Sequence, residues 1–166
     1  MLFRDRNEAG ELLADVLLNL RGSRPLVLGV PAGGVLIARV VAERLGAPLG
    51  AVMPEGCVVD GDVAGRTVIV VDEGIDTGAT MRAALETVGA AGAARVVAAV
   101  PVAPQGHSLG RLAADLYAIA RPAPLASIRR WYRELPEVPE DEVRAALGRG
   151  SRRDGQDWAY AGATSL

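Results

Sequence analysis

The sequence predicts an α/β domain built on a mostly parallel open sheet flanked by helices. Short apolar, β-branched runs alternate along the chain with segments whose apolar residues recur at helical spacing. The clearest run, TVIVV at residues 67–71, stays apolar instead of alternating, as a strand buried on both faces must. Two of the runs pass directly into Gly-containing loops that open helices, which places a crevice at the carboxyl ends of parallel strands.

The elements follow in order. Asp5-Arg6-Asn7-Glu8 has capping-box spacing, and Leu12, Leu13, Val16, Leu17 and Leu20 then recur as on one face of a helix. Residues 25–30 (PLVLGV) read as a short buried strand. The turn Pro31-Ala32-Gly33-Gly34 leads from it into an amphipathic helix that reaches about Leu45 and is closed by Gly46. Residues 49–53 form a second strand, and residues 54–65 a short, poorly patterned link. The main strand, 67–72, is expected at the centre of the sheet, because the longest β-branched run belongs where burial is deepest. A helix over 81–88 stops at Gly89 and Gly92, and 96–102 is the next strand. Residues 104–114 are read as a helix and 116–120 as a last strand. Residues 122–139 are irregular, and a final short helix runs from Pro139 to Leu147. Residues 1–149 make one domain. Residues 150–166, polar and rich in Gly and Arg, read as a flexible tail.

The chemistry concentrates after the main strand. Asp72 and Glu73 stand where it ends, followed by Gly74-Ile75-Asp76-Thr77-Gly78-Ala79-Thr80 and a helical pattern. A strand, a Gly/Thr loop and a helix start form a phosphate cradle, since free N–H groups and the helix dipole both favour an anion. Thr77 and Thr80 add hydroxyl donors. The two acids suit sugar hydroxyls, or Mg²⁺, which takes oxygen ligands.

Composition excludes several alternatives. All 18 basic residues are Arg, so no mechanism can use a lysine Schiff base or a Walker lysine. No G-x-G-x-x-G follows the first strand. A net charge of −2 gives no overall attraction to nucleic acid. The single cysteine, Cys57, allows no intrachain disulfide and fits a reducing compartment. The charged N-terminus lacks an apolar signal core, and no apolar run approaches membrane-spanning length, so a cytoplasmic location without membrane attachment is expected.

The stretch VIVV-DE-GIDTGAT resembles the phosphoribosyl-diphosphate (PRPP) motif of the type I phosphoribosyltransferases: four apolar strand residues, two acids, then a loop ending T-G-x-T. Four other segments are similar to a bacterial group of stand-alone members. They are the opening Phe3-Arg4-Asp5-Arg6 with Glu8-Ala9-Gly10, the loop Gly29-Val30-Pro31-Ala32-Gly33-Gly34, VAAVPVA at 97–103, and WYRELPEVPEDEV at 131–143. The resemblance implies that the backbone of residues 76–80 holds the PRPP 5′-phosphate. It implies that Asp72 and Glu73 face the ribose hydroxyls, directly or through Mg²⁺, and that Ala32, Gly33 and Gly34 take the pyrophosphate. Asp76 occupies the position where 6-oxopurine enzymes carry an Asp proposed to handle a ring proton, a mild purine hint. A homodimer is implied as well.

Two departures stand out. The family's usual basic residue in the pyrophosphate loop is replaced by Ala32, which removes a charge-assisted contact. The family's long, basic, flexible lid is cut to residues 54–65, none of them basic. Neither segment then offers the departing pyrophosphate a cation or a cover, which leaves an Arg from elsewhere in the chain or from a dimer partner as the substitute; the hood is expected to be reduced and turnover weak.

Other residues are more open. Trp131 and Tyr132 offer faces for stacking a base, or simply pack. His107, the only histidine, is read as a surface residue. Asp72 and Glu73 are both expected to face the solvent-open cleft. The function expected is a Mg²⁺-dependent transfer of phosphoribose from PRPP to a nitrogenous base. The alternative is a weak or inactive PRPP- or nucleoside-monophosphate-binding module with a regulatory or assembly role.

Overall fold

A computed structural model describes residues 2–148. The expected tail at 150–166, with Trp158 and Tyr160, lies outside the described residues. The core is a six-stranded sheet of β1 (Leu26–Gly29), β2 (Leu49–Met53), β3 (Val58–Asp60), β4 (Thr67–Val71), β5 (Arg95–Val102) and β6 (Asp115–Ala120). Their order is β3-β2-β1-β4-β5-β6, and every pairing is parallel except β2 with β3. The run 67–71 therefore forms a central strand, with Val68 through Val71 fully buried.

The sheet separates two apolar layers. On one face Val27, Ile69, Val71, Val97 and Ala99 meet α1 (Arg6–Leu17) and α2 (Gly33–Leu45). On the other, Leu28, Val68, Val70, Ala98 and Val100 meet Met81, Ala84, Leu85 and Val88 of α3 (Ala79–Ala90). With few aromatic side chains, the packing relies on Ala, Val and Leu at close approach. A last helix, α4 (Glu140–Leu147), seats Val143 and Leu147 beside Val35, Ala51 and Met53.

Local signals act as expected at several termini. The Asp5 side chain accepts from the Glu8 N–H at 2.9 Å, which caps α1 and holds the Asp5 carboxyl below its usual range. The return arm of the box differs, because the Glu8 carboxylate accepts from the N–H of Arg4, one residue before the cap. Gly46 ends α2 in the left-handed conformation, φ 63°, which glycine adopts without a Cβ penalty.

Three elements depart from the expectation. Residues 104–114 do not form a helix; they form a loop with a single 3-10 turn, Gly110–Leu112. Gly106 and Gly110 both adopt positive φ, 74° and 59°, which breaks helical continuity on either side of His107. The link 54–65 is more structured than its pattern suggests, with a 3-10 turn, Pro54–Gly56, and then β3, which runs back antiparallel along β2. Two valines and a ready edge are enough to pair three residues. Finally, α3 begins two residues earlier than expected and runs through Gly89 to Ala90.

Candidate functional site

β1 and β4 lie side by side, with Gly29 paired to Val71. Chain direction then diverges: β1 feeds α2 on one face, and β4 feeds α3 on the other. A crevice opens where two such connections part, outside the strands' carboxyl ends. Two loops border it, residues 30–33 and residues 72–78.

The first loop carries a cis peptide between Pro31 and Ala32. It is drawn onto β4, since the Val30 N–H donates to the Val71 carbonyl at 2.9 Å. α2 starts at Gly33, and Ala32 supplies no side-chain cap. Both glycines are required by proximity. A Cβ on Gly34 would stand 2.9 Å from the Val71 carbonyl oxygen and 3.0 Å from Asp72 Oδ1, and one on Gly33 would strike the Glu73 carboxylate.

The second loop holds the acids. Asp72 Oδ1 accepts from the Glu73 N–H at 2.8 Å. The Asp72 carboxyl is raised to about 7, chiefly by burial, with the Glu73 charge adding to the rise and the Glu73 N–H opposing it. Glu73 turns the other way. Its Oε2 accepts from Arg6 Nε at 2.6 Å, with the Arg6 side chain 12% exposed and that of Glu73 25%. Its carbonyl accepts from the Tyr132 hydroxyl at 2.7 Å. Burial, then the negative charges of Glu73 and Asp72, push the Tyr132 phenol upward. The expectation that both acids face the open cleft is met only in part: Asp72 is half-buried and lines the pocket at the start of α3, while Glu73 is ion-paired with Arg6.

Downstream, Asp76, Thr77, Ala79 and Thr80 are exposed, and Gly78, at φ 92°, forms the N-cap of α3. Asp72, residues 74–81 and Ile128 line a pocket of about 130 Å³. Whole small-molecule ligands fill sites of roughly 300 Å³ upward, so this pocket suits a single compact group such as a phosphate. Behind it stands the 104–114 loop. His107 lies against Gly78, with its Cε1 2.7 Å from where a Cβ there would sit, and Arg82 Nη2 donates to the Ser108 carbonyl at 3.1 Å. His107 is partly buried rather than a surface group. Its Nε2 is buried without a partner, and burial, with Arg82 and Arg121 adding, lowers its pKa.

Trp131 lies outside that lining and packs in part against the α1/α2 layer, while its carbonyl accepts from the Phe3 N–H at 2.8 Å. Ile128 is the wall from this segment. The N-terminal strand of chain is tied alongside: Phe3 bridges Tyr132, and their rings lie 5.4 Å apart. Arg6 and Ile128 are the neighbours that sequence reasoning missed at this crevice, while Tyr132, open there between stacking and packing, packs on Phe3 and holds the Glu73 carbonyl. For Arg6 the opening segment Phe3-Arg4-Asp5-Arg6 held the hint, since its place in the family pattern came without a role.

Comparison with known proteins agrees with this fold. A family model for the phosphoribosyl transferase domain matches residues 58–118. The solved orotate phosphoribosyltransferase of Aeropyrum pernix is 33% identical, covering 68% of each chain with a TM-score of 0.57. This chain belongs to the type I phosphoribosyltransferase family. The Thermus thermophilus protein TT1426 aligns over 89% of this chain and 98% of its own, with 32% identity and a TM-score of 0.79. The Mycobacterium tuberculosis H37Rv protein named "Putative phosphoribosyl transferase Rv0571c" is 32% identical over 221 residues, which cover 98% of this chain and 49% of the relative. The chain thus spans about half the length of the curated relatives it matches. That aligned stretch is longer than the 166 residues of this chain, so the relative carries residues within it that this phosphoribosyltransferase-family chain lacks.

Proposed function

We propose that this chain binds PRPP and nucleoside monophosphates at the β1/β4 crevice and transfers phosphoribose to a nitrogenous base slowly. The supporting observation is the pocket of Asp72, residues 74–81 and Ile128, a phosphate-sized space at a glycine-led helix start beside a half-buried carboxyl, in a member of this family. In this reading residues 76–80 hold the 5′-phosphate, Asp72 the ribose, and Ala32, Gly33 and Gly34 the pyrophosphate. Asp76 serves as acid/base toward the base, a purine by preference. Trp131 would contribute to base binding only by moving toward the crevice.

Among the described residues no group of three or more His, Cys, Asp or Glu is placed to hold a metal. Mg²⁺ commonly binds through one or two carboxylates plus substrate phosphates. Asp72, which lines the pocket, fits that pattern, whereas Glu73 has one carboxylate oxygen engaged by Arg6; the ion is therefore proposed to arrive with the diphosphate and to be held through Asp72. The single, exposed Cys57 supports a reducing, cytoplasmic setting. No described helix is long and apolar enough to cross a membrane. The partner proposed is a second copy of the chain, and light scattering at micromolar concentration should return a dimer mass; a monomer mass would refute it.

One observation favours a second reading, a PRPP- or nucleotide-binding regulatory or assembly module. Residues 54–65 form a short turn at the carboxyl end of β2 and the edge strand β3, which runs back along β2. They offer neither a lid nor a basic residue. Charge development then faces water, where each hydrogen bond is worth less.

Calorimetric titration with PRPP and with GMP, with and without Mg²⁺, tests the binding reading. Thr80→Val, which deletes one hydroxyl at the pocket wall, should weaken GMP by about 1–2 kcal/mol. Unchanged GMP affinity in the variant would count against the cradle. Pyrophosphate release with a panel of bases then separates the two readings. The expectation is turnover below about 1 s⁻¹, the low end for enzymes, and no release at all would favour the module.

A further inference from the structure

A diphosphate in the Ala32–Gly34 loop would need positive charge, and neither position 32 nor residues 54–65 supply it. Arg6 stands at that place from another element. It sits in the first turn of α1, and its Nε lies 2.6 Å from where a Cβ on Gly33 would be. Only the absence of a side chain at Gly33 leaves room for the guanidinium. Arg6 presents five N–H donors in a fixed fork and stays protonated. One of them is spent on Glu73 Oε2. Among the described residues nothing accepts from the two Nη atoms, and neither is counted among the sealed, unpartnered atoms. The N–H groups that open α2 also lack a side-chain cap. A largely buried cation with a free edge, beside uncapped helix N–H groups, is a receptor for an anion.

We propose that Arg6 is the cation of the diphosphate subsite, with its free Nη edge and the N–H groups of Gly33 and Gly34 taking diphosphate oxygens while Glu73 holds the guanidinium over Gly33. Arg6 thus replaces from α1 the charge that Ala32 lacks in the loop. Glu73 becomes a positioning residue for Arg6, and Asp72 is left as the acid for the sugar. This inference rests on the PRPP-binding reading.

The test compares inorganic pyrophosphate, PRPP and GMP as calorimetric ligands of the full chain, in the wild type, Arg6→Gln and Arg6→Lys. GMP carries a 5′-phosphate and a ribose but no diphosphate. Arg6→Gln should lose about tenfold or more in affinity for pyrophosphate and PRPP, as expected for a lost charge-assisted contact, and hold GMP within about twofold. Arg6→Lys keeps the charge without the fork and should fall between. Adding Ala32→Arg to Arg6→Gln should recover pyrophosphate binding, a rescue that a purely structural ion pair would not give. Pyrophosphate binding unchanged in Arg6→Gln overturns the proposal, as does GMP weakening in parallel. If Arg6→Gln does not fold, Arg6→Lys decides, and wild-type pyrophosphate affinity in that variant overturns it. A wild type that binds neither PRPP nor GMP defeats the functional reading itself; one that binds both, with Arg6 indifferent, defeats only the role of Arg6.

Discussion

Gly29→Ala should cost about 2–3 kcal/mol of stability, toward the upper end of what overpacking a well-filled interior costs. A Cβ on Gly29 would stand 2.5 Å from Val35 Cα, 2.8 Å from Val35 N and 2.9 Å from the Gly34 carbonyl oxygen. All three are backbone atoms, so no rotamer change relieves the contact. β1 is held by β2 on one side and β4 on the other, so the strand cannot retreat. The first turn of α2 must lift instead, and Gly33 and Gly34 lift with it. Binding of pyrophosphate should therefore weaken, while the cradle at the start of α3 keeps its GMP. The control is Gly22→Ala, where a Cβ meets nothing within 4 Å; it should change stability by less than about 0.5 kcal/mol. Urea denaturation of both variants reads the effect. An unchanged midpoint for Gly29→Ala would show that α2 slides freely over β1, and that the close fit is not a constraint.

The sheet and its crevice were legible in the sequence because their signals are local. Unbroken β-branched runs mark strands buried on both faces, and the acids with the Gly/Thr loop mark the end of the central one. Gly33 and Gly34 marked a turn into a helix, though not what packs against it. What stayed hidden depends on distant partners. Arg6 and Glu73 are 67 positions apart, and nothing in either neighbourhood signals that the pair closes over Gly33. The Tyr132 hydroxyl reaches the Glu73 carbonyl from a segment without regular pattern, so the sequence left the aromatic pair open between stacking a base and packing. Residues 104–114 misled for a different reason. Leu109 and Leu112 have helical spacing, yet Gly106 and Gly110 take positive φ, and the resulting loop places His107 behind Gly78. Propensity and spacing describe a segment by itself; here tertiary contact chose the backbone.

Asp72→Asn should stabilise the ligand-free protein at pH 8 by roughly 2–4 kcal/mol and leave it nearly unchanged at pH 4. The sign follows from burial. Asp72 titrates near 7 in the folded protein against an ordinary value of 3.8, because desolvation and the Glu73 charge penalise its ionised form. Between those values the folded state binds the proton more tightly than the unfolded chain does. Stability from this group is therefore full below about pH 4, falls as pH rises toward 7, and stays low above it. Asparagine keeps an oxygen to accept from the Glu73 N–H and carries no charge, so the slope should vanish. Over three pH units the full shift corresponds to about 4 kcal/mol, and the edge that Asp72 presents to the crevice reduces it toward 2. Contributions from the chain's other acids cancel in the difference between variant and wild type. The same variant should bind PRPP with Mg²⁺ more weakly at pH 8, where the native carboxylate is the better acceptor for a ribose hydroxyl and the better partner for a cation. Gain in stability with loss of binding is the pattern of a buried acid kept for its ligand. Urea denaturation at pH 4 and pH 8, together with calorimetry at pH 8, measures both halves. A variant no more stable than wild type at pH 8 would mean that Asp72 is solvated, and undiminished Mg²⁺-dependent PRPP binding would remove it from the site.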